Sequence, residues 1–455
     1  MCLERILDLV GADFMTLSPG GWRALLRFFI GTALPLLLLT LPAFSQDAPM
    51  PEVPPSTAPN PSGPKATTPA GQLQTPADLE VLFRGKESSR EELKKIAEQL
   101  SATWKDATPP EYIRMLQAIA QGSQMGGESG WFGKGQSRYS WDWLARRHDI
   151  GTDDKAAITE ADFRGSKELF RGLDRNGNGR ITKDDFDWSD DNSYVEAASL
   201  AHRFFRRMDL EGDGRITRDE MLAFFDKAAG GKDYLLSGDL RRAILAGWGS
   251  YLPGDAPTPE SLITGLFRSE LGSLYEGPAL EAPAPDFRLK TQDGRREVHL
   301  QEEIGKRPIV LMFGNFTCAP FRSYLPVVEE LHERYGKQAT FLGVYVREAH
   351  PTDGWYMESN TKAGVKLPQP RTYAERAGVA SQCHAKLRYS MPLLVDEIDD
   401  PVGNAYSGMP ARLYIIDSQG KVAYKAGRGP FGLKPGEMEQ SLVMLLLDET
   451  KSEAR

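Results

Sequence analysis

The stretch Arg307-Pro308-Ile309-Val310-Leu311-Met312-Phe313-Gly314-Asn315-Phe316-Thr317-Cys318-Ala319-Pro320-Phe321 decides how this 455-residue chain is read. Residues 308–313 are a short, continuous apolar run ended by turn residues, the pattern of a buried strand. Residues 314–321 turn the chain. Tyr324, Val327, Val328, Leu331 and Tyr335 then fall at helical spacing and predict an amphipathic helix. A second apolar run, Thr340-Phe341-Leu342-Gly343-Val344-Tyr345-Val346, predicts a second buried strand. Strand, helix and strand in that order form a βαβ unit, with parallel strands and a right-handed crossover. Cys318 therefore falls where the first strand gives way to the helix. Unpaired N–H groups and the helix dipole at such a point favour thiolate over thiol, so a lowered Cys318 pKa is expected.

The second strand runs into Val344-Tyr345-Val346-Arg347-Glu348-Ala349-His350-Pro351-Thr352-Asp353-Gly354-Trp355. With residues 313–321, this run resembles the iodothyronine deiodinase family. In that family a selenocysteine, or a cysteine in some members, stands where Cys318 stands, and a Glu-Ala-His-x-x-Asp-Gly-Trp run follows the second strand. The resemblance continues through Arg412-Leu413-Tyr414-Ile415-Ile416, Gly420-Lys421 and Gly429-Pro430, and covers residues 283–447. It implies a thioredoxin-like α/β fold, a cis-proline at Pro410 facing the reactive sulfur, and reductive deiodination of an aryl iodide. The chain departs from the family at Phe316, where many members have a cysteine, so a resolving thiol beside Cys318 is missing.

Phe321 holds the fourth place of a motif that starts at Cys318, which leaves no Cys-x-x-Cys and excludes dithiol exchange in that motif. Asn315 stands where the common peroxiredoxin pattern has threonine, and Thr317 adjoins the cysteine instead. We expect Cys318 as nucleophile, with an inert buried thiol as the alternative. His350 is the expected proton donor or thiolate partner, because imidazole titrates near neutrality; a purely structural histidine is the alternative. Cys383 is either a resolving thiol or a bystander. The catalytic candidates are thus Cys318, Thr317, His350 and Cys383, with an external thiol as reductant.

Upstream, Asp174-Arg175-Asn176-Gly177-Asn178-Gly179-Arg180-Ile181-Thr182-Lys183-Asp184-Asp185 sets oxygen-bearing residues at the ligand positions of an EF-hand loop. Asp209-Leu210-Glu211-Gly212-Asp213-Gly214-Arg215-Ile216-Thr217-Arg218-Asp219-Glu220 does the same, 35 residues later. The expected ligands are Asp174, Asn176, Asn178, the Arg180 carbonyl, Thr182 and Asp185 in the first loop. In the second they are Asp209, Glu211, Asp213, the Arg215 carbonyl, Thr217 and Glu220. Two calcium ions are expected, the second loop being tighter because it offers four carboxylates against two. Ile181 and Ile216 are expected to pair across the two loops. Residues 151–162 keep Ile158 and Thr159 but place Gly151 and Lys155 at ligand positions, so they read as a degenerate hand or a plain turn.

A net charge of −8 argues against nucleic acid as a partner, and three cysteines are too few for a disulfide scaffold. Arg23 and Arg27 precede an uncharged run, 28–44, that reads as an export signal or a membrane anchor, and Cys2 leaves with a cleaved leader. Either way the bulk of the chain is expected outside the cytoplasm, periplasmic or secreted. The expected organisation is multidomain: leader 1–46, Pro/Ala/Thr-rich linker 47–79, all-α EF-hand domain 80–250, connector 251–282 and α/β thioredoxin-like domain 283–450. Because a Pro/Gly-containing connector joins the two domains, calcium is expected to leave the thiol domain little changed. The leading function is thiol-based reduction of a soft electrophile: aryl iodide, peroxide or disulfide, carried by a small-molecule or thiol substrate. The rival is a non-catalytic calcium-dependent binding protein on a thioredoxin-like scaffold.

Overall fold

The computed structural model describes residues 90–104, 109–121, 134–245, 257–430 and 432–453. The expected leader and linker, with Cys2, lie outside the described residues, as does most of the glycine-rich stretch 122–135. Among the described residues no helix is long and apolar enough to cross a membrane.

Two helices come first, α1 (Arg90–Thr103) and α2 (Glu111–Ala120). Tyr112, Met115, Leu116 and Ile119 share the buried face that their spacing requires, against Leu93 and Leu100 of α1. Then follow β1 (Gln136–Ser137), α3 (Trp141–Arg147), β2 (Ala157–Thr159), α4 (Lys167–Leu173), β3 (Arg180–Thr182), α5 (Ser193–Met208), α6 (Arg218–Ala229) and α7 (Ser237–Leu245). The bridge between the loops differs from expectation. Ile181 pairs antiparallel with Ile158, not with Ile216. The degenerate stretch has lost metal ligands yet kept the β-branched pair that a bridge needs. Meanwhile α5, with 16 residues, carries residues 209–220 about 24 Å away.

The chain continues through α8 (Pro259–Phe267), β4 (Arg288–Thr291), β5 (Glu297–His299), α9 (Leu300–Glu303), β6 (Ile309–Gly314), α10 (Ala319–Tyr335), β7 (Thr340–Tyr345), α11 (Glu358–Lys362), α12 (Tyr373–Leu387), β8 (Leu393–Val395), α13 (Pro401–Ala405), β9 (Arg412–Ile416), β10 (Val422–Lys425) and α14 (Pro435–Glu453). Among the described residues the main sheet runs β1-β10-β9-β6-β7-β8-β4-β5. β6 and β7 are parallel in the expected βαβ unit, Met312 opposite Gly343 and Gly314 opposite Tyr345. Every residue of β6 is buried, which its wholly apolar side chains allow. The buried stripe of α10 is Phe321, Leu325, Val328, Leu331 and Tyr335, whereas Val327, expected inside, is 41% exposed.

A helical EF-hand region thus precedes a thioredoxin-like α/β domain, and one core runs through both. Trp141, Leu144, Ile158, Phe170 and Ile181 are buried in the same cluster as Val310, Leu311, Leu331 and Val443. β1, upstream of residues 174–185 and 209–220, extends the sheet beside β10, with Gln136 opposite Lys425. The described part of the expected connector, 257–282, is packed and not a free linker: Leu262, Ile263, Leu266 and Leu271 join Leu93, Leu116 and Ile119 in a second cluster. α2 is held to the sheet by Glu111, whose carboxylate pairs with Arg412 (3.2 Å) and Arg428 (2.9 Å) in a buried cluster.

Candidate active site and calcium loops

Cys318 caps the N-terminus of α10, directly after the turn that ends β6. Asn315 builds that turn: its Oδ1 accepts from the Cys318 N–H (3.0 Å) and the Ala349 N–H (3.2 Å), and its Nδ2 donates to the Pro410 carbonyl (3.0 Å). The Met409–Pro410 bond is cis. Cys318 is only 1% exposed. The expected lowering of its pKa is overturned. Burial pushes the thiol up to about 11, and the Phe321 N–H and Arg322 guanidinium pull it only partly back. The helix N-terminus was read correctly in geometry, but desolvation outweighs it.

Beside the cysteine runs a buried hydrogen-bonded chain. Thr317 donates from its N–H to Glu348 Oε2 (2.9 Å), and its hydroxyl lies 2.7 Å from the same oxygen. The Tyr345 hydroxyl donates to Glu348 Oε1 and accepts from the Phe316 N–H (3.1 Å). Burial raises the Glu348 pKa against the pull of those donors, and raises Tyr345 well above the usual phenol range. Sequence reasoning gave roles to neither Glu348 nor Tyr345, nor to Asn315. The available signal was a carboxylate emerging straight from a buried strand, with a tyrosine three residues before it.

Thr317 and His350 come together through the main chain, since the His350 N–H donates to Thr317 Oγ1 (3.0 Å). The half-buried His350 ring has Nδ1 within 3.0 Å of the Trp355 carbonyl and packs edge-on to the Trp355 ring. Cys383 lies buried on α12 as a free thiol, its pKa raised well above the usual value by burial and by the Glu348 charge.

The two loops are wound alike. Asp174 accepts from the N–H groups of Asn178 (3.1 Å) and Gly179 (2.8 Å), and Asp209 accepts from Asp213 (3.1 Å) and Gly214 (3.0 Å). Gly179 and Gly214 both sit at φ +81°, open to glycine without a Cβ penalty. Asn176 and Asn178 accept from N–H groups inside the first loop, and Arg180 and Thr182 supply N–H donors there. Asp185 takes the Arg175 N–H and Thr182; Glu220 takes the Leu210 and Glu211 N–H groups and Thr217. Among the described residues no three His, Cys, Asp or Glu side chains are gathered closely enough to hold a metal ion.

The donor set nevertheless fits calcium, which takes six to eight hard oxygens. Asp209, Asp213 and Glu220 are each buried. Burial raises the Asp209 pKa, and the charges of Asp213 and Glu220 raise it further, repulsion that a divalent cation relieves. Asp209, Glu211, Asp213, Thr217, Glu220 and the Arg215 carbonyl would hold the ion in the second loop. Asp174, Asn176, Asn178, Thr182, Asp185 and the Arg180 carbonyl would hold it in the first.

Comparison with known proteins agrees with both halves of the chain. Residues 163–226 match the EF-hand domain pair, and residues 260–445 match the iodothyronine deiodinase family. Thyroxine 5-deiodinase of Gallus gallus is 33% identical over 196 residues, covering 41% of this chain and 74% of that protein. The Sparus aurata enzyme is 33% identical over 200 residues, 42% of this chain and 73% of that protein. That of Ovis aries is 34% identical over 160 residues, 34% of this chain and 52% of that protein, so the chain spans from half to three quarters of these relatives. With the β6–α10 turn, its cysteine and the downstream Glu-Ala-His run all inside the matched region, the chain belongs to the iodothyronine deiodinase family.

Proposed function

We propose that this protein is an exported, calcium-binding thiol oxidoreductase that removes iodine from an aryl iodide, with Cys318 as nucleophile. The observation that carries the reading is the placement of Cys318 at the N-terminus of α10, beside the Tyr345–Glu348–Thr317 chain. The Cys318 thiolate attacks iodine, the carbon–iodine bond breaks, and a sulfur–iodine bond forms. The electron pair left on carbon takes a proton, delivered by His350 or through Thr317 and Glu348. One external thiol then displaces iodide and forms a mixed disulfide with Cys318. A second thiol frees Cys318 and leaves as disulfide, so two thiols supply the two electrons. Cys383 takes the place of the first external thiol if it resolves the adduct. Calcium, held by the loop carboxylates, would neutralise their charge and would supply no electrons. Export, or anchoring by residues 28–44 with the bulk outside the cytoplasm, rests on Arg23, Arg27 and the uncharged run.

Iodide release from thyroxine, with dithiothreitol as the external thiol, tests the reading. The wild-type protein should release iodide and Cys318→Ser should not; equal release by both rejects Cys318 as nucleophile. The burial of Cys318 and its raised pKa favour a second reading, a non-catalytic calcium-binding protein on the same fold. That reading requires calcium binding with no iodide release from either form.

A further inference from the structure

The second calcium loop lies on the helix that begins at Cys318. Arg322, one turn into α10, donates from Nε to the Gly212 carbonyl (2.8 Å), from Nη1 to the Phe316 carbonyl (2.6 Å) and from Nη2 to Asn360 Oδ1 (3.0 Å). Asn360 Nδ2 in turn holds the Thr317 carbonyl (2.8 Å). One buried guanidinium therefore joins the loop to both residues that precede Cys318. The planar fork of arginine can span three such acceptors, which a lysine ammonium cannot do in the same geometry.

The contact is close and extends beyond Arg322. A Cβ on Gly214 would lie 2.4 Å from the Arg322 carbonyl and 2.8 Å from the Pro326 ring. Pro326 has no N–H to offer that carbonyl, so the helix ladder leaves it without its usual partner where the loop backbone rests. On the other side Arg215 Nη1 donates to the Leu387 carbonyl (3.2 Å), at the end of the helix that carries Cys383. The entering helix adds a stacked pair, His202 on Tyr324, with ring centroids 4.7 Å apart and planes at 4°.

Gly212 is position 4 of the loop, whereas calcium draws on positions 1, 3, 5, 7, 9 and 12. The ion and Arg322 thus use different atoms. Closing the carboxylates on calcium stiffens the loop without taking the Gly212 carbonyl from Arg322. We propose that Arg322 is a positioning residue tying residues 209–220 to the Cys318 turn, so that calcium in this loop holds Cys318 in its buried position. By reciprocity, the docked turn tightens calcium binding at the same loop. The inference rests on the calcium reading of the loop and not on catalysis by Cys318, because thiol accessibility is read with or without turnover.

The test is the rate of Cys318 alkylation by iodoacetamide in the full-length protein, followed by peptide mass spectrometry, with calcium alone or with a chelator. Wild type should react about tenfold more slowly with calcium, in the range of ordinary coupling between sites. Arg322→Gln should bring that ratio near one and weaken the tighter calcium step in calorimetry by a similar factor. A purely structural arginine would not move calcium affinity. Gly212→Ala keeps Arg322 and every ligand residue in the chain but strains the contact: at φ +60° its Cβ would meet the Ala363 Cβ at 2.9 Å and Arg322 Nη2 at 3.4 Å. It should reduce the ratio as well. Asp185→Asn is the internal control. The first loop packs on α14, where Gln440 donates to the Asp185 carbonyl (2.9 Å), and its entering helix reaches Tyr335 at the far end of α10, so this change should leave the ratio intact. If calcium binds yet wild-type alkylation is unchanged, or if Arg322→Gln keeps the full ratio, the coupling is wrong. If no calcium binds, the coupling and the calcium reading fall together, while iodide release by Cys318 is judged separately.

Discussion

Cys318 sits at a helix start that should favour thiolate, in a burial that opposes it. With its pKa pushed up to about 11, only about one molecule in ten thousand carries thiolate at pH 7 in this closed form. Iodoacetamide alkylation with calcium present should therefore climb through neutral pH and level off only near pH 11. An inflection at or below about 8.5, the ordinary thiol value, would contradict the burial argument. Tyr345 offers a second measurement. Its hydroxyl bridges Glu348 and the Phe316 N–H, so Tyr345→Phe strands a buried carboxylate oxygen and should cost about 1–3 kcal/mol in denaturant unfolding. An unchanged midpoint would show that the bridge contributes nothing. At this scale the place of Cys318 at the start of a helix was legible because the motif around it is local. Tyr345 was not, since it reads as one more apolar residue in a strand. Arg322 was invisible for a different reason: its partner Gly212 lies 110 residues away.

The elements were the most legible part. β6, α10 and β7 follow from two apolar runs around one periodic stretch, and the winding of both EF-hand loops from residue spacing alone. The pairing of the loops was misread because Ile158, Ile181 and Ile216 are equivalent in sequence, and only the length of α5 separates them in space. This bears on the metal. Glu220→Gln should weaken the tighter calcium step in calorimetry, and Asp185→Asn the looser one. Equal effects on a single step would sink that order. Ile158→Ala removes the buried partner of Ile181 and should cost about 2–5 kcal/mol. It should loosen the first calcium step and leave the second unaltered. A shift of the second step instead would place the bridge with Ile216.

On the scale of the whole molecule, the helical region around Trp141 to Ile181 and the sheet share one core, while α1, α2 and α8 form a second, and the long-range ion pairs that fasten the helices to the sheet carry no local sequence signal. Glu111 is the clearest of these. Burial alone would raise its pKa, but Arg428 and Arg412 outweigh burial and hold it at about 2. A carboxylate lowered on folding contributes stability that is fully present above its unfolded value near 4.5 and lost as pH falls through about 2. Its contribution is about 3 kcal/mol, from the size of the shift. Glu111→Gln should destabilise the protein by about 3–5 kcal/mol at neutral pH, because two buried guanidinium groups lose their counter-charge. In thermal melts the gap between mutant and wild type should narrow as pH falls below about 4.5 and close only below about 2, where the folded carboxylate is protonated as well. A gap that stays constant from pH 7 to pH 2 would contradict the ionic account.

The central claim is that Cys318 takes iodine from the substrate, and the most direct measurement looks for the covalent state itself. The Cys383→Ser protein is mixed with thyroxine and a limiting monothiol, quenched in acid, and its peptides are weighed. A mixed disulfide between Cys318 and the monothiol, formed in step with iodide release and absent without thyroxine, is the predicted result. Iodide released while Cys318 stays an unmodified thiol at every time point would contradict it.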